Sequence, residues 1–154
     1  MKIVLASDHR GYGVVALLHA HLVELGHEAT ILGSTSEDAC DYPDRAWLVA
    51  NEVESGNAEF GVLVCGSGIG MSIAANKHRG IRAALVQDEA GAVSARAHNH
   101  ANVICLSADR LEPTEWTGLV DIFLATEVLP DRHEKRVRKM TVIEEGRDPS
   151  LPSG

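Results

Sequence analysis

The chain has 154 residues, 45% of them hydrophobic, and a formal net charge of −8. That length suits one compact domain with a sizeable core, and the acidic balance argues against general binding to nucleic acid or to an anionic membrane. Three cysteines, Cys40, Cys65 and Cys105, have neither an even count nor a C-x-x-C spacing, so a disulfide framework or zinc knuckle is not expected and a reducing cytoplasm is the natural setting. No apolar run reaches bilayer length, and the first residues read as strand rather than as a signal segment.

In chain order, residues 2–6 read as an apolar strand. Apolar residues at 14, 15, 17, 18, 22 and 25 predict an amphipathic helix over 12–25, stopped by Gly26. A short strand is expected at 28–32, and Pro43 stands where a helix can begin, continuing through Val53 to the break at Ser55-Gly56-Asn57. Residues 61–65 read as a buried strand and are followed by a helix to Asn76. Further strands are expected at 81–86 and 102–106, with helices at 89–97, 113–126 and 132–145. Strands alternating with helices predict an α/β domain over 1–145 with a five-stranded parallel sheet covered on both faces, and a flexible tail over 146–154. With strand order 2-1-3-4-5, Asp8, His9 and Cys65 share one crevice beyond the carboxyl ends of strands one and three, where the winding reverses.

The centre of the chain is Val62-Leu63-Val64-Cys65-Gly66-Ser67-Gly68-Ile69-Gly70-Met71-Ser72. An apolar strand runs into alternating glycines, which let the backbone approach a ligand and turn its N–H groups inward, while the next helix adds its positive end. An anionic ligand suits that turn, as does a Cys65 thiolate acting as base or nucleophile; the alternative is a small residue packed at a strand end. A dinucleotide fingerprint would need glycine at position 71, and a cysteine phosphatase loop would need arginine there. Met71 excludes both, and the Gly-Lys-Ser or Gly-Lys-Thr of a P-loop is missing. His98 and His100 lie two apart without a clear third metal ligand, and His19 and His21 read as solvated surface. Cys40 and Cys105 read as packing residues. Arg132 and Arg136 share a helix face, yet Arg132 sits in the first turn, where the helix dipole disfavours a cation. A phosphate clamp would offset that cost; a basic face answered by nearby glutamates is the alternative.

Ser7-Asp8-His9-Arg10-Gly11, Asp41-Tyr42-Pro43-Asp44, the stretch from Cys65 to Lys77, His98-Asn99 and Arg132-His133-x-x-Arg136-Val137 occur in order. Together, over residues 1–145, they closely resemble the ribose-5-phosphate isomerase B family, which includes galactose-6-phosphate isomerase subunits. The resemblance implies a Rossmann-like three-layer fold, dimers or tetramers of dimers, and no metal or cofactor. It also implies an aldose–ketose isomerase working through an enediolate. In that scheme Cys65 takes the carbon-bound proton and His98 assists ring opening. Ser67 and the N–H groups of Gly66, Ser67, Gly68, Ile69 and Gly70 form the anion hole. Asp8 handles the sugar hydroxyls, Asn99 orients the sugar, Tyr42 lines the site, and His9, Arg132 and Arg136 hold the phosphate.

The sequence departs from the family pattern in places. Arg10 replaces a small residue, Ser67 a frequent threonine, and Pro130-Asp131 the usual Gly-Gly. Asp109 stands where the family often has a phosphate-contacting arginine, with Arg110 one step late. Ribose, allose, galactose and tetrose phosphates all suit the scaffold. A non-catalytic phosphosugar-binding subunit, or an unrelated phosphate-binding enzyme with Cys65 as nucleophile, are the competing readings. Chain direction adds one expectation: the helix over 89–97 starts at the carboxyl edge of the sheet and must return to the opposite edge. His98 and Asn99 then lie about 15–20 Å from Cys65 in the same chain, which calls for a two-fold dimer with shared sites.

Overall fold

The computed structural model describes residues 1–33, 36 and 38–151. The elements are β1 (Lys2–Ser7), α1 (Tyr12–Glu24), β2 (Glu28–Ile31), α2 (Tyr42–Glu54), β3 (Phe60–Cys65), α3 (Ile69–Ala75), β4 (Ala83–Leu85), α4 (Glu89–Ala97), β5 (Val103–Ser107), α5 (Pro113–Ala125) and α6 (Arg132–Glu144). The expected alternation is present, although β4 is shorter than residues 81–86.

Successive residues of a strand point to opposite faces, and the apolar strands build two cores accordingly. Ile3, Leu5, Val62, Val64, Ile104 and Leu106 pack with α1, α4 and α5. On the other face, Val4, Ala6, Leu63, Cys65, Val103 and Cys105 pack with residues of α2 and α3. Cys65 thus ends its strand on the face covered by α2 and α3.

All strand pairs are parallel, in the order β2-β1-β3-β5-β4. This corrects the expected order 2-1-3-4-5: β5 lies inside the sheet and β4 at its edge. The reason is burial. Every residue of β5 is buried, as a strand covered on both faces requires, whereas β4 has one buried residue of three. The free side of β4 is closed by a side chain. Asn76 accepts from the Ala83 N–H and donates to the Ala83 carbonyl, both at 2.8 Å, so an amide does the work of a further strand at this exposed edge.

The exchange of β4 and β5 leaves β1 beside β3, so the winding still reverses between them and a crevice opens beyond Ser7 and Cys65. Of the expected tail, Pro149, Ser150 and Leu151 line a cavity together with Arg138 and Val142 of α6; residues 152–154 lie outside the described residues.

Candidate functional site

Cys65 is 4% exposed, and the Gly68 N–H donates to its Sγ at 3.1 Å. Gly68 can point its N–H back in this way because its φ is +77°, a conformation that side-chain-bearing residues rarely adopt. A Cβ there would also stand 2.6 Å from Leu85 Cδ1. Ser67 Oγ accepts the Ile69 N–H at 3.2 Å, and α3 then begins, its first-turn N–H groups having no partner within the helix.

The turn is pinned from below by a residue that the sequence reading passed over. Ser107, fully buried at the end of β5, donates from Oγ to the Gly66 carbonyl at 2.6 Å. The Ala108 and Asp109 N–H groups donate to the carbonyls of Cys65 (2.9 Å) and Gly66 (3.1 Å). The available signal was a hydroxyl closing an otherwise apolar strand.

Asp8 is 8% exposed. Its Oδ1 accepts from the Arg10 N–H (3.0 Å) and the Gly11 N–H (3.2 Å), and its own N–H donates to the Val64 carbonyl, which fixes the loop after β1 against the end of β3. His9 is exposed on that loop. Tyr42, opening α2, lays its ring against Gly70, and Ile69 is exposed beside it. The carboxyl edge therefore collects Cys65, Asp8, His9, Tyr42, Gly66, Ser67, Gly68, Ile69 and Gly70.

The remaining expected site residues stand at the opposite edge. The Gly61 N–H donates to the Asn102 carbonyl, which marks the amino end of β3 and β5. Four residues of strand, about 13 Å, separate Gly61 from Cys65. His98 and Asn99, at the end of α4, are exposed there, and Asn99 lines a cavity with Arg82, Met140 and Ile143. The Leu129 N–H donates to the Ala97 carbonyl at 2.9 Å, fastening the α5–α6 connection to the end of α4. His133 consequently stacks on His98, with ring centroids 4.4 Å apart and planes 11° from parallel.

His133 is a second residue the sequence reading did not single out for a role. It is 6% exposed, its Nε2 accepts from Arg132 Nε at 3.2 Å, and its Nδ1 is buried with no partner among the described residues. Burial lowers its pKa from the ordinary histidine value, and the neighbouring His98, Arg132, Arg136 and His100 push it in the same direction. The neutral form of the ring is thereby favoured, and an Nε2 that accepts from Arg132 leaves the ring proton on Nδ1. Arg132 and Arg136 are exposed, and neither makes an ion pair among the described residues. The glutamate alternative applies instead to Arg138, which pairs with Glu134 at 2.6 Å.

His98 and His100, which a metal would need together, have separate partners: His100 Nε2 bonds the Leu129 carbonyl at 2.9 Å. One expectation for the surface changes as well. His21 is half-buried and its Nε2 meets Asp121 Oδ1 at 2.8 Å, tying α1 to α5. Cys105 is fully buried, and burial pushes its thiol well above the usual range, in keeping with a packing role.

The arrangement can be set beside known proteins. Residues 3–140 match the family model described as Ribose/Galactose Isomerase. The chain is 37% identical over 147 residues to ribose-5-phosphate isomerase B of Escherichia coli, covering 96% of this chain and 99% of that protein. Ribose-5-phosphate isomerase B of Clostridium thermocellum superposes with a TM-score of 0.93 at 38% identity, over 95% of this chain and 99% of the other. The Mycoplasma genitalium enzyme, solved with bound ribulose 5-phosphate, gives 0.90 at 39% identity, over 93% and 95%. The chain belongs to the ribose/galactose isomerase family, and within it to the ribose-5-phosphate isomerase B type.

Proposed function

We propose that this chain interconverts ribose 5-phosphate and ribulose 5-phosphate in a site made by two copies of itself. The observation that carries the reading is the division of the polar groups between the two edges of one sheet. Neither edge alone offers a base, a ring-opening group and a phosphate clamp.

In the shared site, His98 of one copy transfers a proton to the ring oxygen as the sugar opens, and Asn99 orients the chain form. Cys65 of the other copy, as thiolate, takes the proton from C2 of the aldose. Negative charge then spreads over the enediolate oxygens, where Ser67 and the N–H groups of the glycine turn supply donors that need no reorganisation. Return of the proton to C1, with the hydroxyl proton of O2 passed to O1, gives the ketose. Asp8 receives the substrate hydroxyls and Tyr42 lines the sugar.

His9 meets the phosphate from the Cys65 side, and Arg132 and Arg136 meet it from the His98 side. The arginines belong to the same copy as His98, because His133 joins Arg132 to the His98 ring. A surface suited to the second copy lies beside the glycine turn: α2 and α3 pack together yet leave Tyr42, Trp47, Ile69 and Ile73 exposed.

Two inactive proteins, Cys65→Ala and His98→Ala, test the arrangement when dissociated and reassociated together. Half of the random dimers are mixed and each has one intact site, so roughly a quarter of wild-type isomerase activity should return. Failure to recover activity, with subunit exchange demonstrated by mass, would put both groups in one chain.

A further inference from the structure

Arg10 follows Asp8 and His9 on the loop at the switch point, and its guanidinium lies across the glycine turn. A Cβ on Gly66 would stand 2.9 Å from Arg10 Nε and 2.9 Å from Asp109 Oδ2, so the side chains at 10 and 109 need glycine at 66 to lie where they do. Asp109 Oδ1 takes both the Nε–H (3.2 Å) and an Nη2–H (2.7 Å) of Arg10. The hydrogens of Nη1 and the second hydrogen of Nη2 have no acceptor among the described residues.

The two side chains are 56% and 45% exposed, and an ion pair so open to water contributes little to stability. Stability alone does not account for an arginine laid over the turn that ends at Cys65. A planar guanidinium held along one edge, with donors to spare on the others, is suited to phosphate oxygens, which accept from it in pairs.

We propose that Arg10, held over the glycine turn by Asp109, is a specificity-determining residue that contacts the phosphate of the substrate. The proposal rests on the isomerase reading above and adds a phosphate contact from the Cys65 side. Asp109 has two opposed effects. It orients the guanidinium, and its own charge would repel the phosphate if Arg10 were absent. The two positions should therefore be non-additive, in a direction that a purely structural pair would not show.

The test compares wild type, Arg10→Ala, Asp109→Ala and the double variant, with KM and kcat for ribose 5-phosphate and the inhibition constant for inorganic phosphate as a competitor. Arg10→Ala should raise KM and the phosphate inhibition constant by about 10- to 30-fold, with kcat within about 3-fold. Asp109→Ala should raise both by about 2- to 5-fold. The double variant should bind better than Arg10→Ala, because the repelling carboxylate is gone. Arg10→Gln serves as a second variant if Arg10→Ala folds poorly.

A KM within 2-fold of wild type in both Arg10 variants, or a double variant no better than Arg10→Ala, would overturn the role of Arg10 while leaving the isomerase reading intact. Wild-type protein that neither isomerises nor binds ribose 5-phosphate by calorimetry would overturn both.

Discussion

The two edges of the sheet carry comparable numbers of polar groups but hold them in different ways. At the carboxyl edge most of the bonds have a backbone group on one side: Gly68 turns its N–H onto Cys65, the Ser107 hydroxyl and the Asp109 N–H fix the Gly66 carbonyl, and the Asp8 carboxylate takes the N–H groups of its own loop. At the amino edge side chains hold side chains. His133 stacks on His98, Arg132 leans on His133, and Arg132 and Arg136 lack carboxylate partners among the described residues. The only non-glycine residues with positive φ among the described residues, His100 (51°) and Asp131 (59°), are both here. The first edge is complete as a cradle. The second keeps positive charge without carboxylate partners at Arg132 and Arg136 and strain in its backbone, which is what the proposed half-site, completed by an anion and a second copy, would need.

The largest effect is expected at the arginines of the amino edge. Replacing both Arg132 and Arg136 by alanine should raise KM for ribose 5-phosphate by about 100-fold, since each charge-assisted contact contributes about a factor of ten. The fold should keep its melting temperature to within a few degrees. Steady-state kinetics with ribose 5-phosphate and with an unphosphorylated aldose decides between readings: an equal loss on both sugars would make the amino edge a solvated basic face.

A smaller effect concerns pH. His133 has its folded pKa lowered below the ordinary value of 6.5, so the unfolded chain takes up a proton that the folded chain refuses. The stability contributed by the neutral ring is present above that value and declines as pH falls through 6.5 toward the lower folded pKa. His133→Phe keeps a ring on His98 but cannot titrate, so its melting temperature should fall less than that of wild type between pH 7.5 and 5.5. Parallel falls in thermal scans would show that His133 does not carry the acid sensitivity of this edge.

The smallest effect is expected from the strained backbone before α6. Asp131 precedes α6 with φ 59° and ψ −115°, a conformation far easier for glycine. Asp131→Gly should stabilise the chain by about 1 kcal/mol, the strain relieved exceeding the added freedom of the unfolded state. That is a rise of about 2–4 °C in melting temperature for a chain of this size. A fall would mean that the aspartate side chain contributes more than its backbone costs.

The sequence by itself determined the alternation of strands and helices, the glycine turn after Cys65, the amphipathic helix over 12–25 and the return of His98 and Asn99 to the far edge. These follow from local rules: period, glycine tolerance and the fixed direction of a βα unit. It did not determine which strand lies inside the sheet. The choice between β4 and β5 is a competition for burial on two faces, visible beforehand only as the contrast between Val-Ile-Cys-Leu and a short Ala-Ala-Leu next to Arg82.

Only the tertiary structure decided which side chains meet across long separations. Arg10 finds Asp109 from 99 positions away, Ser107 bonds the carbonyl of Gly66, and His133 reaches His98 because Leu129 is tied to Ala97. Such contacts depend on where separate elements end in space. No local pattern of charge or hydrophobicity encodes that position, which is set by how the two cores pack around the sheet.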